Sequence, residues 1–202
     1  MMFVSIDTLI QGAISGNLVS FPTDTVPALA ARPDRADLIF AAKRRSLDKP
    51  LILMGATFRS LLPYLKGSNE ELQLWQQVAE EYWPGALTLV LPASDRVPGV
   101  MNPADRTTIG VRIPNCDIAQ KIMTQTGPLA TTSANLSGQP PLTRMAEING
   151  QFPDVLTILL SHNQEMTLAS GVPSTVAKWN ITDGWEILRQ GAVKLKFEMY
   201  GK

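Results

Sequence analysis

The chain has 202 residues, 45% hydrophobic and 18% charged, with a formal net charge of zero. That length and balance suit one globular domain with a proper core. They argue against a protein that holds nucleic acid by bulk charge, and leave room only for a local basic groove. One cysteine, Cys116, excludes an internal disulfide framework and reads as a buried thiol rather than a nucleophile. No apolar run reaches the roughly 18 residues of a membrane span. The N-terminus, MMFVSIDTLIQ, lacks the basic region and long apolar core of a signal peptide, so a cytoplasmic protein is expected.

In chain order, Ile6, Leu9, Ile10, Ala13 and Ile14 fall at helical spacing, and Gly16 fits the stop. Leu18 to Phe21 reads as a short strand ended by Pro22. Asp34 is expected to cap a helix running to about Arg44, with Leu38, Ile39, Ala41 and Ala42 on its buried side. Leu51 to Met54 reads as a buried strand. Ser68 and Glu71 make a capping-box pattern that opens an amphipathic helix with Leu72, Trp75, Val78 and Tyr82. Pro84-Gly85 ends it, and Ala86 to Leu91 is a strand. Residues 92–106 are rich in Pro, Gly and Asp and read as a loop able to move. Thr107 to Ile113 is a strand stopped by Pro114, and 116–125 a helix carrying Ile118, Ala119, Ile122 and Met123. Leu129 to Thr132 is a strand, 139–153 a proline-bearing stretch with a short helix, and Val155 to Leu160 another strand. Ser174 to Trp179 and Trp185 to Leu188 are spaced for a hairpin around Asp183-Gly184. Helices and strands interleave, with hairpin-like connections among them. This predicts one α/β domain, residues 1–202, on a mixed parallel and antiparallel sheet.

Three segments carry the candidate chemistry. Phe21-Pro-Thr-Asp-Thr-Val26 offers two threonines and an aspartate directly after a strand, a ligand position in many α/β proteins and also a common turn composition. Lys43, Arg44, Arg45 and Lys49 put four cations within seven residues; a helix C-terminus accounts for the first three as well as phosphate does, but not for Lys49 before Pro50. Thr132-Ser-Ala-Asn-Leu-Ser-Gly138 is a loop dense in hydrogen-bonding groups, suited to an anion or base, or to a plain turn. Arg112 lies inside an apolar strand. Buried there, its charge needs a partner such as a ligand carboxylate; at an exposed edge strand it would need none.

Several signatures are missing. There is no GxxxxGK[ST], no GxGxxG after a strand, no CxxC and no HExxH. The one histidine, His162, falls in a polar loop, so a histidine-dependent triad is not expected. Chemistry here should rest on positioning and charge stabilisation.

FPTDTV, Lys43-x-Arg45 with DKPL, WPGALTLVL (83–91), VRIP (111–114), TTSANLSG (131–138), PSTV (173–176) and LRQG (188–191) occur in the order found in the YrdC/Sua5 family, the threonylcarbamoyladenylate synthases, and the chain resembles that family from about residue 5 to 195. The resemblance implies a twisted α/β domain with a large concave cavity. It implies condensation of L-threonine, bicarbonate and ATP, with Mg2+ on the phosphates, to threonylcarbamoyl-AMP and pyrophosphate. A separate transferase complex would then move the threonylcarbamoyl group to adenosine 37 of tRNAs that read ANN codons. It further implies Lys43 and Arg45 as catalytic cations facing the phosphates with Lys49. Thr25, Arg112, Thr131 and Ser174 would hold threonine, Arg112 on its carboxylate. Thr108, Ser133, Asn135 and Arg189 would contact the nucleotide. The family usually continues its first motif as Val-Tyr-Gly-Leu-Gly, whereas this chain reads Val26-Pro-Ala-Leu-Ala30, losing an aromatic expected in the site wall; some members carry His where Met54 stands. The rival readings are a double-stranded RNA-binding relative and a paralogue without synthase activity.

Overall fold

The computed structural model describes residues 2–161 and 170–196. His162 lies outside the described residues.

In chain order the elements are β1 (Phe3–Val4), α1 (Ile6–Ile14), β2 (Val19–Phe21), β3 (Ala28–Ala31), α2 (Asp37–Lys43), β4 (Ile52–Met54), α3 (Phe58–Leu61) and α4 (Asn69–Tyr82). They continue as β5 (Leu87–Pro92), β6 (Thr108–Arg112), α5 (Asp117–Thr126), β7 (Leu129–Ser133), α6 (Met145–Gln151), β8 (Leu156–Ile158), β9 (Thr175–Asn180) and β10 (Gly184–Arg189). The described strands form one sheet in the order β1-β8-β2-β3-β7-β4-β6-β5-β9-β10. Pairings are mixed, as expected: β4/β6 and β5/β9 are parallel, β3/β7, β4/β7 and β5/β6 antiparallel.

Local chemistry sets the ends. Ser5 Oγ accepts from the Thr8 amide to open α1, and Gly16, at φ +87°, turns the chain out of it. The Ser68/Glu71 capping box forms. The second oxygen of Glu71 accepts from Trp179 Nε1 at 2.9 Å, so one carboxylate caps α4 and pins the β9–β10 hairpin. The Asp34 cap does not form. Arg32 takes that carboxylate in a two-point pair, Nε to Oδ1 at 3.0 Å and Nη2 to Oδ2 at 2.7 Å. Residues Pro33–Arg35 become a 3₁₀ turn, and α2 starts only at Asp37. Its buried side is Ile39, Phe40 and Lys43, with Ala41 exposed.

β1, β3 and α3 carry no legible signal. β3, Ala28-Leu-Ala-Ala31, is uniformly small and apolar because it is interior, between β2 and β7. Successive strand residues face opposite sides of a sheet. Leu53, Leu89, Val111, Ala130 and Ala177 therefore share one face and pack into a core with Ile39, Trp75 and Val78 of the helices. The other face holds Thr131, Ile52, Gly110, Val90 and Lys178 in one row, each opposite the next by register.

Candidate active site

That row is the floor of a cavity of about 670 Å3. Nine residues expected at the site line it: Thr25, Arg45, Lys49, Thr108, Arg112, Thr131, Ser133, Ser174 and Arg189. Residues at alternate positions appear together, Thr108, Gly110 and Arg112 on β6, and Val176 and Lys178 on β9 with Ser174 just before it. A second cavity of about 720 Å3, between the end of α1, α2 and the start of β8, contains none of them.

The cavity has two ends. Thr108 and Arg112 are four steps apart on β6, about 13 Å at 3.3 Å per residue. Arg45, Lys49 and Pro50 precede β4, which runs parallel to β6, so they share the Thr108 end. β7 runs antiparallel to β4 with Leu129 opposite Met54, which brings Ser133 to the same end. β9 starts beside Leu87, placing Ser174 at the Arg112 end.

Arg112 is 3% exposed on an interior strand, so the edge-strand alternative fails. Its partner within the chain is Asp24, with Nη2 to Oδ1 at 2.7 Å. Nη1 donates to Thr25 Oγ1 at 2.9 Å and Nε to the Gly85 carbonyl at 3.1 Å. Burial lowers the guanidinium pKa and Asp24 opposes that shift. The strand-end loop is rigid for a local reason. Thr23 Oγ1 donates to the Val26 carbonyl at 2.7 Å, so its lone pairs accept from the Thr25 amide and hydroxyl. The Thr25 hydroxyl proton is thereby committed, and its oxygen is free to accept from Arg112.

Ser174 Oγ sits 2.9 Å from Thr88 Oγ1. Arg189 Nε and Nη2 both donate to the Ser174 carbonyl, at 3.2 and 2.9 Å. This ties Arg189 to the Arg112 end, away from Thr108 and Ser133, with which it was grouped by resemblance. Thr131 Oγ1 donates to the Ile52 carbonyl at 3.0 Å and forms part of the floor.

Two expected residues do not line the cavity. Lys43 is 1% exposed. Its Nζ donates to the Ser133 carbonyl and to Asn135 Oδ1, the latter at 3.3 Å. Asn135 in turn donates to the carbonyls of Leu136 and Gln139 at 2.8 and 2.7 Å. The structure thus turns Lys43 and Asn135, expected at the phosphates and the nucleotide, toward carbonyls instead. Both side chains are spent on carbonyls inside the SANLSG loop, and Lys43 buttresses Ser133 from behind. Burial, then the neighbouring Arg45 charge, lowers the Lys43 pKa from 10.5 to about 7.

Arg45 folds the segment after α2, donating to the carbonyls of Lys49 at 3.1 Å and Pro50 at 3.0 Å. Thr108 Oγ1 donates to Asp105 at 3.0 Å, and the Thr107 hydroxyl and amide hold the same carboxylate, lowering its pKa. Asp105, Asn102, Thr88 and Lys178 line the cavity without having been expected there, and Asp48 joins them from the 43–49 segment. Lys178 was legible in principle, two residues beyond Val176 on the face that Ser174 opens. Five cations against two carboxylates line the cavity, so it is positive inside a chain of zero net charge. Cys116 is buried with its Sγ 3.5 Å from the Pro22 carbonyl, and burial pushes its pKa up, as expected of an unreactive thiol. Pro27 is buried and outside the lining, whereas Val26 and Ala28 on either side belong to it.

The fold and cavity define an α/β protein with a positively charged cleft on one face of a mixed sheet. A family model described as "Telomere recombination", covering Sua5, YciO and YrdC proteins, matches residues 13–191, and the chain belongs to that family. The threonylcarbamoyl-AMP synthase of Vibrio campbellii is 32% identical over 192 residues, 92% of this chain and 98% of that one. The structure of Pyrococcus abyssi Sua5 complexed with L-threonine superposes with a TM-score of 0.81 at 34% identity, over 92% of this chain and 54% of that one. This chain thus spans about half the length of the P. abyssi protein. E. coli YciO shares the fold, with a TM-score of 0.78 at 22% identity, over 95% of this chain and 91% of that one.

Proposed function

We propose that this chain is an L-threonylcarbamoyladenylate synthase, which joins L-threonine, bicarbonate-derived CO2 and MgATP into threonylcarbamoyl-AMP and pyrophosphate. The observation that carries this reading is one cavity with a carboxylate-binding arginine at one end and the Arg45/Lys49 pair at the other, the Thr108 end, which lies about 13 Å along β6 from Arg112. Threonine binds at the Arg112, Thr25 and Ser174 end, next to Arg189. The ATP phosphates lie toward Arg45 and Lys49, near Thr108 and Ser133.

The threonine amine adds to CO2, releasing a proton and leaving a carbamate. A carbamate oxygen attacks the α-phosphorus, a new P–O bond forms, and the bond to pyrophosphate breaks. The nucleophile belongs to the substrate, so no serine, cysteine or histidine is needed. The protein fixes the two anions in reach and offsets charge on the departing pyrophosphate, the usual division of labour in phosphoryl-group chemistry. Mg2+ arrives with the nucleotide. A transferase acting on tRNA would consume the mixed anhydride. The RNA-binding alternative is not favoured, since the relatives with full-length likeness are named as synthases. The test is pyrophosphate release with threonine, bicarbonate and MgATP, against serine and no amino acid. Threonine- and bicarbonate-dependent release is expected; its absence at saturating substrate and Mg2+ overturns the reading.

A further inference from the structure

The synthase reading leaves Asp24 without a task. Its carboxylate adjoins the amino-acid end through Arg112, 2.7 Å away, and is 16% exposed where Arg112 is 3%. One oxygen is held by Arg112 Nη2, and no side-chain bond engages the other among the described residues. A guanidinium has five N–H groups. Arg112 uses three, one on each nitrogen, toward Gly85, Thr25 and Asp24. Two remain, enough for both oxygens of an incoming carboxylate. A ligand that brought only a carboxylate would meet the like charge of Asp24 beside that position. A ligand with an ammonium next to its carboxylate would complement both groups.

Resting on the synthase reading, we propose that Asp24 is the receptor for the α-ammonium of the substrate. The Asp24–Arg112 pair takes the amino acid as a zwitterion, carboxylate on the free guanidinium hydrogens and ammonium on the outer Asp24 oxygen. The pair selects α-amino acids over the matching 2-hydroxy acids. It also fixes the nitrogen that becomes the carbamate, so Asp24 is a specificity residue acting directly on substrate. Loop geometry supports this. The Thr23–Thr25–Val26 bonds hold the backbone on the C-terminal side of Asp24, and the Asp24 carbonyl accepts from the Ser170 amide at 3.2 Å, so the carboxylate stays beside Arg112.

Calorimetry with L-threonine and with 2,3-dihydroxybutanoate, its hydroxyl-for-amine analogue, tests the inference in the natural protein and in Asp24→Asn. Asparagine keeps the shape and an acceptor for Arg112. The natural protein should prefer threonine by more than about tenfold, the scale of a lost charge-assisted contact. Asp24→Asn should weaken threonine by a similar factor while the analogue holds or gains, so the preference collapses. Equal weakening of both ligands would mean that Asp24 merely props Arg112. Equal tightening would mean that it occupies the carboxylate's own place. Either overturns the inference while sparing the synthase reading. If Asp24→Asn does not fold, the natural protein alone decides, since less than about a threefold preference also overturns it. A natural protein that binds no threonine overturns both.

Discussion

Arg112→Ala should damage the fold and the substrate site together, by amounts that follow from its contacts. The guanidinium makes three hydrogen bonds, at 2.7, 2.9 and 3.1 Å, from a position 3% exposed on an interior strand. Removing one partner of a buried ion pair costs about 3–5 kcal/mol, chiefly because the other charge is stranded. Asp24 is 16% exposed and regains some water, so the lower end, about 3 kcal/mol, applies. For a domain of this size that lowers the melting temperature by about 6–12 °C. Adding Asp24→Asn removes the stranded carboxylate, so the double variant should recover part of the loss, with a coupling of about 0.5–3 kcal/mol. Threonine affinity should fall by about tenfold or more while ATP affinity changes little, because the arginine stands at the far end from Arg45 and Lys49. Calorimetric melting and threonine titration of the four proteins measure both effects. A single variant melting within about 1 °C of the natural protein, or one with unchanged threonine affinity, would refute the assignment of Arg112 as the buried anchor.

Lys43 predicts a pH dependence. Its pKa is lowered from 10.5 to about 7, so between those values the unfolded chain holds a proton that the native state lacks, and native stability rises with pH across that window. Below about pH 7 both states are protonated and the slope vanishes. Lys43→Met removes this slope; urea unfolding near pH 6.5 and near pH 9 should show the natural protein gaining relative to the variant, and a pH-independent gap would contradict the burial argument. Gly191→Ala would drive a methyl into the backbone of Pro173 and Ser174, which cannot rotate away. It should cost about 1–3 kcal/mol and raise the Michaelis constant for threonine by displacing Ser174, and a melting temperature and constant both unchanged would show that the segment yields freely.

Legibility in the sequence followed the range of the signal. Elements with local causes were readable: α1 with its Gly16 stop, α4 with its capping box, and the β9–β10 hairpin at Asp183-Gly184. Asp34 read as a cap because the residue type is right, but a neighbour two positions back outcompeted the helix for its carboxylate. β3 was invisible because an interior strand of small residues has neither alternation nor β-branching. At the site, residue types picked out strand ends that meet, since nine of the expected groups converge on one cavity. What composition cannot encode is which way a charge is spent. Lys43 and Asn135 belong to the expected segments, yet carbonyls a few ångströms away claim them; Asp24, in a segment that suits a ligand position and a turn alike, holds Arg112.

The same limit explains Pro27. Its replacement of an aromatic suggested a missing wall. The wall is not built there. Thr25, Val26 and Ala28 line the cavity, whereas Pro27 is buried outside the lining. Nor does the proline break the sheet. Ladder pairing of β3 begins at Ala28, opposite Phe21 on one side and Ser133 on the other, so the missing N–H falls just outside it. The Pro27 carbonyl still accepts from the Ala134 amide at 2.9 Å, which ties the strand to the Ser133 loop. Alanine at 28 and 30 adds methyl groups where both neighbouring strands already pack closely, and removes the backbone freedom that glycine would bring. The departure therefore alters the cavity by one methyl, at Ala28, and leaves in place the two features on which the proposed chemistry depends: the Arg112 end proposed for the amino acid, and the Arg45/Lys49 end proposed for the phosphates.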